Sequence, residues 1–331
     1  MKKLILSAFV LSAIIAIVIV SCTKDTKPVD PPPTTPPVTC PSATCINPDT
    51  IWTATGTGPR LIFKLQFDST QVRLNNLGLA ATIPTNNAAF SPVFHRMSSH
   101  YIEMDQTDLT QFGAGAVLYR AAETTCKGAN ALVYCQSVEV REGVTFFSIP
   151  IASVTPGTYK WLRVSLAYQN YDIPFLASST GSFTQWGTVA SFVGYNTYVN
   201  QYKIKTLNAV PTASAGGPGN HLQGYWGFET KILGTTYFAD RQSAATTVVN
   251  PNPSSPIPAG SCLVTGLFNT GGINTPITIT GSETSDIIIT VSLSTNKSFE
   301  WREQAPYDGY YKPEAGEFPV DMGLRGVIAK Y

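Results

Sequence analysis

The side chains best suited to chemistry are concentrated near the C-terminus. The segment from Phe299 to Tyr331 contains six of the chain's 21 acidic residues, Glu300, Glu303, Asp308, Glu314, Glu317 and Asp321. Carboxylates in glycine-rich loops are typical ligands of Ca²⁺. The predicted Ca²⁺ ligands are Asp308, Glu314, Glu317 and Asp321. Two of these acids could instead be the general acid and base of a hydrolase, or Arg302, Lys312 and Arg325 could neutralise them in a surface loop.

Aromatic residues offer a second kind of site, because large rings anchor many binding faces. The predicted aromatic binding residues are Trp301, Tyr310, Tyr225 and Trp226. Trp301 and Tyr310 lie among the C-terminal acids, so their rings could stack on a sugar while carboxylates bond its hydroxyls. The same four rings could instead pack two sheets together as core residues.

The cysteines after residue 22 are Cys40, Cys45, Cys126, Cys135 and Cys262. In an exported protein, disulfide pairing is the default expectation for them. Cys126 and Cys135 flank a segment that opens with a Lys-Gly turn signal, so we predict that a disulfide joins them across a hairpin-like loop. Cys40 and Cys45 could pair with each other, which would leave Cys262 as a single buried thiol.

The histidines and the charge balance argue against several classes of function. His95 and His100 are five residues apart, and an odd offset places two side chains on opposite faces of a strand, so no metal pair is expected. The sequence has no Cys-x₂-Cys zinc pair, no hydrolase signature and no nucleotide-binding loop. Its 22 basic and 21 acidic residues nearly cancel, so no nucleic-acid partner is expected. These observations favour a non-catalytic protein.

The N-terminus has the layout of a secretory signal, with Lys2 and Lys3 followed by an apolar run from Leu4 to Val20. The run ends in Ile19-Val20-Ser21-Cys22, which resembles the lipobox of bacterial lipoproteins processed by signal peptidase II. The resemblance implies that residues 1–21 are a signal peptide and that Cys22 carries fatty-acyl chains such as palmitate. Two or three chains would hold the protein in a membrane. A plain transmembrane anchor is the alternative, given the length of the run.

The residues after Cys22 refine the expected location and suggest a tether. Thr23-Lys24-Asp25 resembles the export signal of surface lipoproteins in Bacteroidetes-type bacteria. We expect a lipid anchor in the outer membrane, and the resemblance implies display at the cell surface. The alternative is that these three residues only begin a solvated linker, which leaves the face of the membrane open. Residues 22–50 are rich in proline, which prevents helix and central strand. Such a segment favours polyproline II at about 3.1 Å per residue, and it would hold the body away from the membrane.

The body after the tether is predicted to be all-β. Segments 61–67, 161–168 and 287–293 alternate apolar and polar residues with a period of two, which is typical of strands with one buried face. No long amphipathic helix is indicated, and frequent Gly and Pro favour an antiparallel β-sandwich or jelly roll with long loops. Tyr159, after a Pro-Gly turn, is predicted to bond back to the backbone as a structural residue.

Two domains or one could account for the length of the body. Residues 51–206 are predicted to form a β-sandwich domain, and residues 222–331 either continue it or form a second β domain. The break between them is the flexible sequence AVPTASAGGPGN at 209–220.

The sequence favours an envelope lipoprotein whose body binds a glycan or a protein partner without catalysis. A carboxylate-dependent hydrolase and a structural envelope component are the alternatives. In addition, HYIEM at 100–104 and FFSIPIASVTPGTYKWLRVSL at 146–166 resemble β-rich periplasmic proteins of the methanobactin-partner MbnP-like group. That resemblance implies a periplasmic, metal-linked protein, but these segments carry no metal ligand or other site residue over to this chain.

Overall fold

A computed structural model describes residues 40–41, 52–177, 183–243, 248–249 and 263–331. The predicted signal peptide, Cys22 and most of the tether lie outside the described residues. Residues 39–331 belong to one compact unit. Within the described residues, no helix has the length and apolar character needed to cross a membrane.

The described residues form 26 strands and four short 3₁₀ helices. The strands are β1 (Trp52–Thr53), β2 (Arg60–Asp68), β3 (Asn87–Phe90), β4 (Val93–Asp105), β5 (Ala116–Arg120), β6 (Glu123–Thr124), β7 (Ala131–Val133), β8 (Glu139–Val140), β9 (Thr145–Pro150), β10 (Gly157–Tyr159), β11 (Trp161–Ala177), β12 (Phe183–Phe192), β13 (Thr197–Val199), β14 (Tyr202–Lys203), β15 (Asn208–Ala209), β16 (Gly219–His221), β17 (Tyr225–Ile232), β18 (Thr235–Gln242), β19 (Leu263–Leu267), β20 (Asn269–Thr270), β21 (Ile273–Asn274), β22 (Ile277–Ile279), β23 (Ile287–Ser294), β24 (Phe299–Arg302), β25 (Phe318–Asp321) and β26 (Val327–Lys330). The 3₁₀ helices are Tyr134–Gln136, Ile151–Ser153, Ala213–Ala215 and Pro313–Ala315.

Two large sheets form a β-sandwich, which confirms the predicted all-β fold. The first has the order β1-β9-β2-β23-β26. The second follows the path β18-β17-β12-β11-β4-β5, with β19 and β8 pairing to β11 and β4, and it curls into a half-barrel. Strands from the ranges 51–206 and 222–331 share both sheets, so the two ranges contribute to one sandwich.

The alternating sequence pattern explains the core between the sheets. The predicted segments 61–67, 161–168 and 287–293 lie within β2, β11 and β23, and their apolar faces are buried in a single cluster. Aromatic rings link the two layers: Tyr119 of β5 lies 5.5 Å from Phe147 of β9, centroid to centroid. Burial of this apolar surface, at about 25 cal/mol per Å², is the main stabilising contribution.

One turn of the sandwich has the predicted tyrosine contact. The Tyr159 hydroxyl donates a hydrogen bond to the Thr155 backbone oxygen at 2.5 Å, and its ring is buried. This confirms that Tyr159 is structural, because the bond fixes the turn through Pro156 and Gly157 to the start of β11.

The predicted disulfide between Cys126 and Cys135 is wrong. The structure joins Cys126 to Cys40, with 5.3 Å between their Cα atoms, and Cys135 is also disulfide-bonded. The register of β6 with β7 pairs Thr124 with Ala131, which places Cys126 in the turn, opposite residue 129. Cys135 lies six residues further along the chain than residue 129. That offset is about 20 Å in a strand, too far for a disulfide. The alternative pairing of Cys40 with Cys45 is excluded by the same bond.

Candidate functional site

The predicted Ca²⁺ ligands are not brought together. Glu317 is buried and accepts hydrogen bonds from the backbone N–H groups of Gln304, at 3.2 Å, and Lys312, at 2.6 Å. Asp308 forms an ion pair with the Lys312 ammonium group at 2.7 Å, and Glu314 is exposed on its own short helix. These acids organise the C-terminal loop, as hydrogen-bonded carboxylates commonly do.

The fourth predicted ligand is neutralised in a separate ion-pair network. Asp321 contacts Arg325 at 3.0 Å, and Arg325 also contacts Glu300 at 3.2 Å. Arg73 completes the network through its own bond to Glu300. Among the described residues, no group of three or more His, Cys, Asp or Glu side chains could hold a metal ion. The prediction of a Ca²⁺ site is therefore wrong for this part of the chain.

Three of the four predicted aromatic binding residues are core residues. Trp301 is 1% exposed, Tyr225 0% and Trp226 7%, so none of them offers a ring to a partner. Trp301 packs against Phe90, with ring centroids 4.9 Å apart, because β24 turns this side chain inward. Only Tyr310, 56% exposed, could still contact a ligand.

A polar cavity lies instead on one face of the second sheet. Its volume is about 520 Å³, within the range of sites for small ligands. Its wall is formed by the first residues of β4, by β8 and the turn after it, by β11 and β12, and by the segment 203–205. None of these residues was predicted as a site from the sequence.

The floor of the cavity is a chain of buried polar groups. The Tyr134 hydroxyl donates to the Glu139 carboxylate, and the Asn170 amide donates to the Tyr168 hydroxyl at 3.2 Å. The Tyr168 hydroxyl donates in turn to the Lys203 backbone oxygen at 3.1 Å. Burial raises the pKa of both tyrosines well above the usual value, so the hydroxyls stay neutral. Both tyrosine protons are used in these bonds, and the second hydrogen of the Asn170 amide bonds the Ile204 backbone oxygen at 2.9 Å. The floor therefore offers oxygen lone pairs, which accept hydrogen bonds from a ligand.

A β-bulge in β4 gives the cavity two adjacent side chains from one strand. Arg96 pairs with Asn170 and Phe94 pairs with Tyr171, so β11 advances one residue where β4 advances two. The extra residue is His95. Bulges re-aim side chains in this way, and both His95 and Arg96 line the cavity.

The buried Glu229 fixes the segment that carries Lys203 and Lys205, two residues of the cavity lining. The Glu229 carboxylate accepts hydrogen bonds from the backbone N–H groups of Lys205, Thr206 and Leu207, at 2.8 to 3.1 Å. Burial opposes its ionisation, but these bonds and that of the Thr206 hydroxyl lower the pKa of Glu229. The lysines at 203 and 205 are therefore held at the cavity by a rigid backbone.

Asp172 holds the side chains of His95 and Lys205 at the edge of the cavity. Its Oδ2 lies 3.1 Å from His95 Nε2 and 3.2 Å from Lys205 Nζ. Its Oδ1 accepts a hydrogen bond from the Thr188 hydroxyl. Although burial acts in the other direction, the interaction with His95 and the hydrogen bond from the Thr188 hydroxyl lower the pKa of Asp172 to about 2. The carboxylate is thus ionised at neutral pH.

The cavity has an excess of positive charge. Its lining contains four cationic side chains, Arg96, Arg141, Lys203 and Lys205, and two acids, Glu139 and Glu142. Asp172 at its edge is a third acid and is paired with Lys205, so four cations face three acids. The whole chain is nearly neutral, so this imbalance is local. A second cavity of about 580 Å³ has one lysine, Lys160, and one aspartate, Asp108, in its lining. The charge therefore distinguishes the first cavity from the second.

A Ser–His–Glu arrangement exists but is enclosed in the protein. The His100 Nε2 atom lies 2.9 Å from Glu123 Oε1, and Ser165 Oγ lies 3.4 Å from His100 Nδ1. The contacts are those of a catalytic triad. However, Ser165 is 1% exposed, and the Tyr195 ring stacks on His100 at 4.3 Å. No substrate carbonyl could reach the serine, so the arrangement is structural.

A second buried cluster contains two acids and one arginine. Glu103 and Asp105 of β4 lie beside Arg163 of β11, and all three side chains are fully buried. Arg163 Nε is 3.1 Å from Asp105 Oδ2, but without hydrogen-bond geometry. The loop between β4 and β5 covers the cluster, since the N–H groups of Gly113 and Gly115 donate to Glu103. These acids are sealed from substrate and cannot serve a hydrolase as built.

Taken together, the fold and the site define an all-β sandwich with a positively charged, polar cavity. Comparison with known proteins adds no further assignment, because no protein-family model, no curated protein and no solved structure matches this chain. The cavity and the N-terminal sequence are therefore the features that bear on its function.

Proposed function

We propose that this protein is a lipid-anchored binding protein of the bacterial cell envelope, and that its β-sandwich body binds a saccharide in the cavity of the second sheet. The observation that carries the proposal is the cavity itself, with its buried floor of tyrosine hydroxyls, an asparagine amide and the Glu139 carboxylate. Sugars present many hydroxyls, and these can donate hydrogen bonds to the remaining lone pairs of the oxygens in the floor. A concave site is also better suited to a small ligand than to the flat surface of a partner protein.

The proposed location follows from the N-terminal sequence. The lipobox resemblance at Ile19-Val20-Ser21-Cys22 supports acylation of Cys22, and Thr23-Lys24-Asp25 supports display at the surface of the outer membrane. A lipid on Cys22 followed by a proline-rich tether would leave the cavity free to meet ligands outside the cell.

Acylation can be tested by labelling. In cells fed an alkyne fatty acid, the wild-type protein should become labelled and Cys22→Ala should not, because the variant lacks the sulfur that receives the lipid. The Cys22→Ala protein should also leave the membrane fraction, since each buried methylene contributes about 0.8 kcal/mol to anchoring. Thr23→Ala, next to the lipidated residue, is the control and should keep its label. An unlabelled wild type would contradict the proposed anchor.

Ligand binding can be tested with the full-length protein in mild detergent on an array of neutral and acidic glycans. We expect reproducible binding to a small set of saccharides. Tyr310→Ala should bind as the wild type does, because Tyr310 is exposed on the C-terminal loop and does not line the cavity. If no glycan on the array binds, the proposed function fails. If Tyr310→Ala alone abolishes binding, the site lies on the C-terminal loop instead.

A further inference from the structure

We infer that the saccharide is acidic: its carboxylate or sulfate group lies between Arg96 and Lys203, and an adjoining sugar ring stacks on Trp186. This inference rests on the proposed function and specifies the chemical class of its ligand. The observations behind it are the distribution of unpaired charge in the cavity and the position of one exposed ring beside it.

The charge that is left without a partner in the cavity is positive. Within the described part of the chain, the charged groups of Arg96 and Lys203 have no hydrogen-bond or ion-pair partner. The acids in the same wall are already engaged. Glu139 accepts a bond from the Tyr134 hydroxyl, and Glu142 accepts one from the Phe67 backbone N–H at 3.0 Å.

Two cations without partners in the lining of a concave site favour an anionic ligand. Low-dielectric walls strengthen the attraction above its value at an open surface, and hydrogen bonds between charged groups are roughly twice as strong as neutral ones. A carboxylate or a sulfate ester between Arg96 and Lys203 would satisfy both cations. A neutral sugar would leave both unpaired, so the site should discriminate against it.

Trp186 supplies an apolar platform next to this anion site. It is 52% exposed, although large rings are normally buried or used in binding. On β12 it lies two residues before Thr188, which lines the cavity. Residues two apart in a strand lie on the same face and about 7 Å apart. Trp186 is therefore on the cavity side of the sheet, about one sugar ring away from the wall.

The three parts match the three chemical features of an acidic saccharide. The cations suit its anionic group, the polar floor suits its hydroxyls, and the indole suits the apolar face of a ring. A purely apolar or purely phosphate-bearing ligand would leave at least one part of the site unused.

Binding of defined disaccharides to the full-length protein in detergent tests the inference by calorimetry. The probes are digalacturonate, a galactose disaccharide carrying a sulfate ester, and the neutral galactose disaccharide. We expect at least one acidic probe to bind about tenfold tighter than the neutral one, with affinity falling as NaCl rises from about 50 to about 500 mM. Whichever acidic probe binds more tightly identifies the source of the anionic group.

Variants with matched controls assign the contacts. Arg96→Gln/Lys203→Gln should weaken binding of the acidic probe about tenfold to a hundredfold and bring its affinity close to that of the neutral probe. The control Lys160→Gln/Arg241→Gln removes the same net charge outside the cavity and should leave affinity unchanged.

Trp186 has its own control on the opposite face of the sheet. Trp186→Ala should weaken binding of every probe about fivefold to tenfold, through loss of ring stacking. Tyr237→Ala should not, because β17 and β18 pair Thr230 with Tyr237, and Thr230 pairs with Gly187, the neighbour of Trp186. Both rings are 52% exposed. If only Trp186→Ala weakens binding, the effect is due to the position of Trp186 on the cavity face and not to its exposure.

The outcomes separate this inference from the proposed function. If no probe and no array glycan binds, the proposed function fails and the inference with it. If neutral and acidic probes bind equally, or if Arg96→Gln/Lys203→Gln binds the acidic probe normally, the inference is overturned while the proposed function stands.

Discussion

Asparagine in place of Asp105 should make the protein more stable at mildly alkaline pH and leave its stability in acid nearly unchanged. We expect the free energy of unfolding of Asp105→Asn to exceed that of the wild type by on the order of 4 kcal/mol at about pH 8, and by little at about pH 4. Urea unfolding of the two proteins across this range measures the difference.

The expected effect follows from the surroundings of the carboxyl group. Burial, and then the negative charge of Glu103, raise the pKa of Asp105 to about 7, while Arg163 acts in the opposite direction. In the unfolded chain the group titrates near its ordinary value of 3.8. Between these values the folded protein holds a proton that the unfolded chain has released. Stability therefore falls as the pH rises through this window, and the uncharged amide removes the loss.

The groups that face Asp105 make the substitution specific. Glu103 and Arg163 flank it within the sheet, and the phenols of Tyr101 and Tyr159 feel its charge, which contributes to raising their pKa values. Both Asp105 oxygens lack a hydrogen-bond partner among the described residues. An uncharged carboxyl or carboxamide suits this site better than a carboxylate, because a buried charge that accepts no hydrogen bond is costly even beside Arg163.

The difference between variant and wild type is the quantity to measure. Burial lowers the pKa values of His100 and His221, and these groups destabilise the fold at low pH, opposite in sign to Asp105. Their contribution cancels in the difference. Asp172→Asn is the matched control: the pKa of Asp172 is lowered to about 2, so this variant should be less stable at neutral pH. If the difference in unfolding free energy between Asp105→Asn and the wild type is the same from acid to alkaline pH, the pKa of Asp105 is not raised in the folded protein.

The strands were predictable because their signal is local. The alternation in 61–67 or 287–293 depends only on neighbouring residues, and burial of one face follows from it. The pairing of these strands was not predictable. The structure places β2 parallel to β23, 226 residues apart between Leu61 and Ile287, and no local pattern encodes that contact.

The prediction for the two histidines depended on the assumption that their strand is regular. A five-residue offset puts His95 and His100 on opposite faces only if β4 is regular. In the structure both are extra residues at bulges, where β4 advances two residues against one of β11. His95 lines the cavity, and His100 is buried inside the sheet rather than at a strand edge. Bulges depend on the partner strand, so the sequence of β4 alone does not reveal them.

The cavity was missed for a related reason. Its wall combines residues near positions 95, 140, 170, 188 and 204, which only the folded sheet brings together. The acids near the C-terminus were conspicuous because they cluster in sequence, yet each has its own structural partner. Clustering along the chain is a poor guide to clustering in space when the residues lie in loops that need their own hydrogen bonds.

Alanine in place of Gly194 should prevent stable folding. A Cβ atom at this position would lie 1.2 Å from the Leu166 backbone oxygen and 2.0 Å from its carbonyl carbon. The register of β11 with β4 skips from Leu166 to Tyr168 at a bulge, and the Leu166 oxygen accepts the Tyr195 N–H at 3.0 Å. The obstacle is therefore backbone at the centre of the second sheet, which cannot move as a side chain could.

We expect Gly194→Ala to lose more than about 4 kcal/mol of unfolding free energy, a loss reserved for disrupted cores and backbones. Thermal unfolding and the yield of folded protein measure the loss. Gly143→Ala is the matched control: its φ of +73° strains alanine, but no atom lies within 4 Å of the added Cβ. That variant should lose only about 1–2 kcal/mol. Equal stability of the two variants would show that the contact between residue 194 and the β11 bulge is looser than the structure places it.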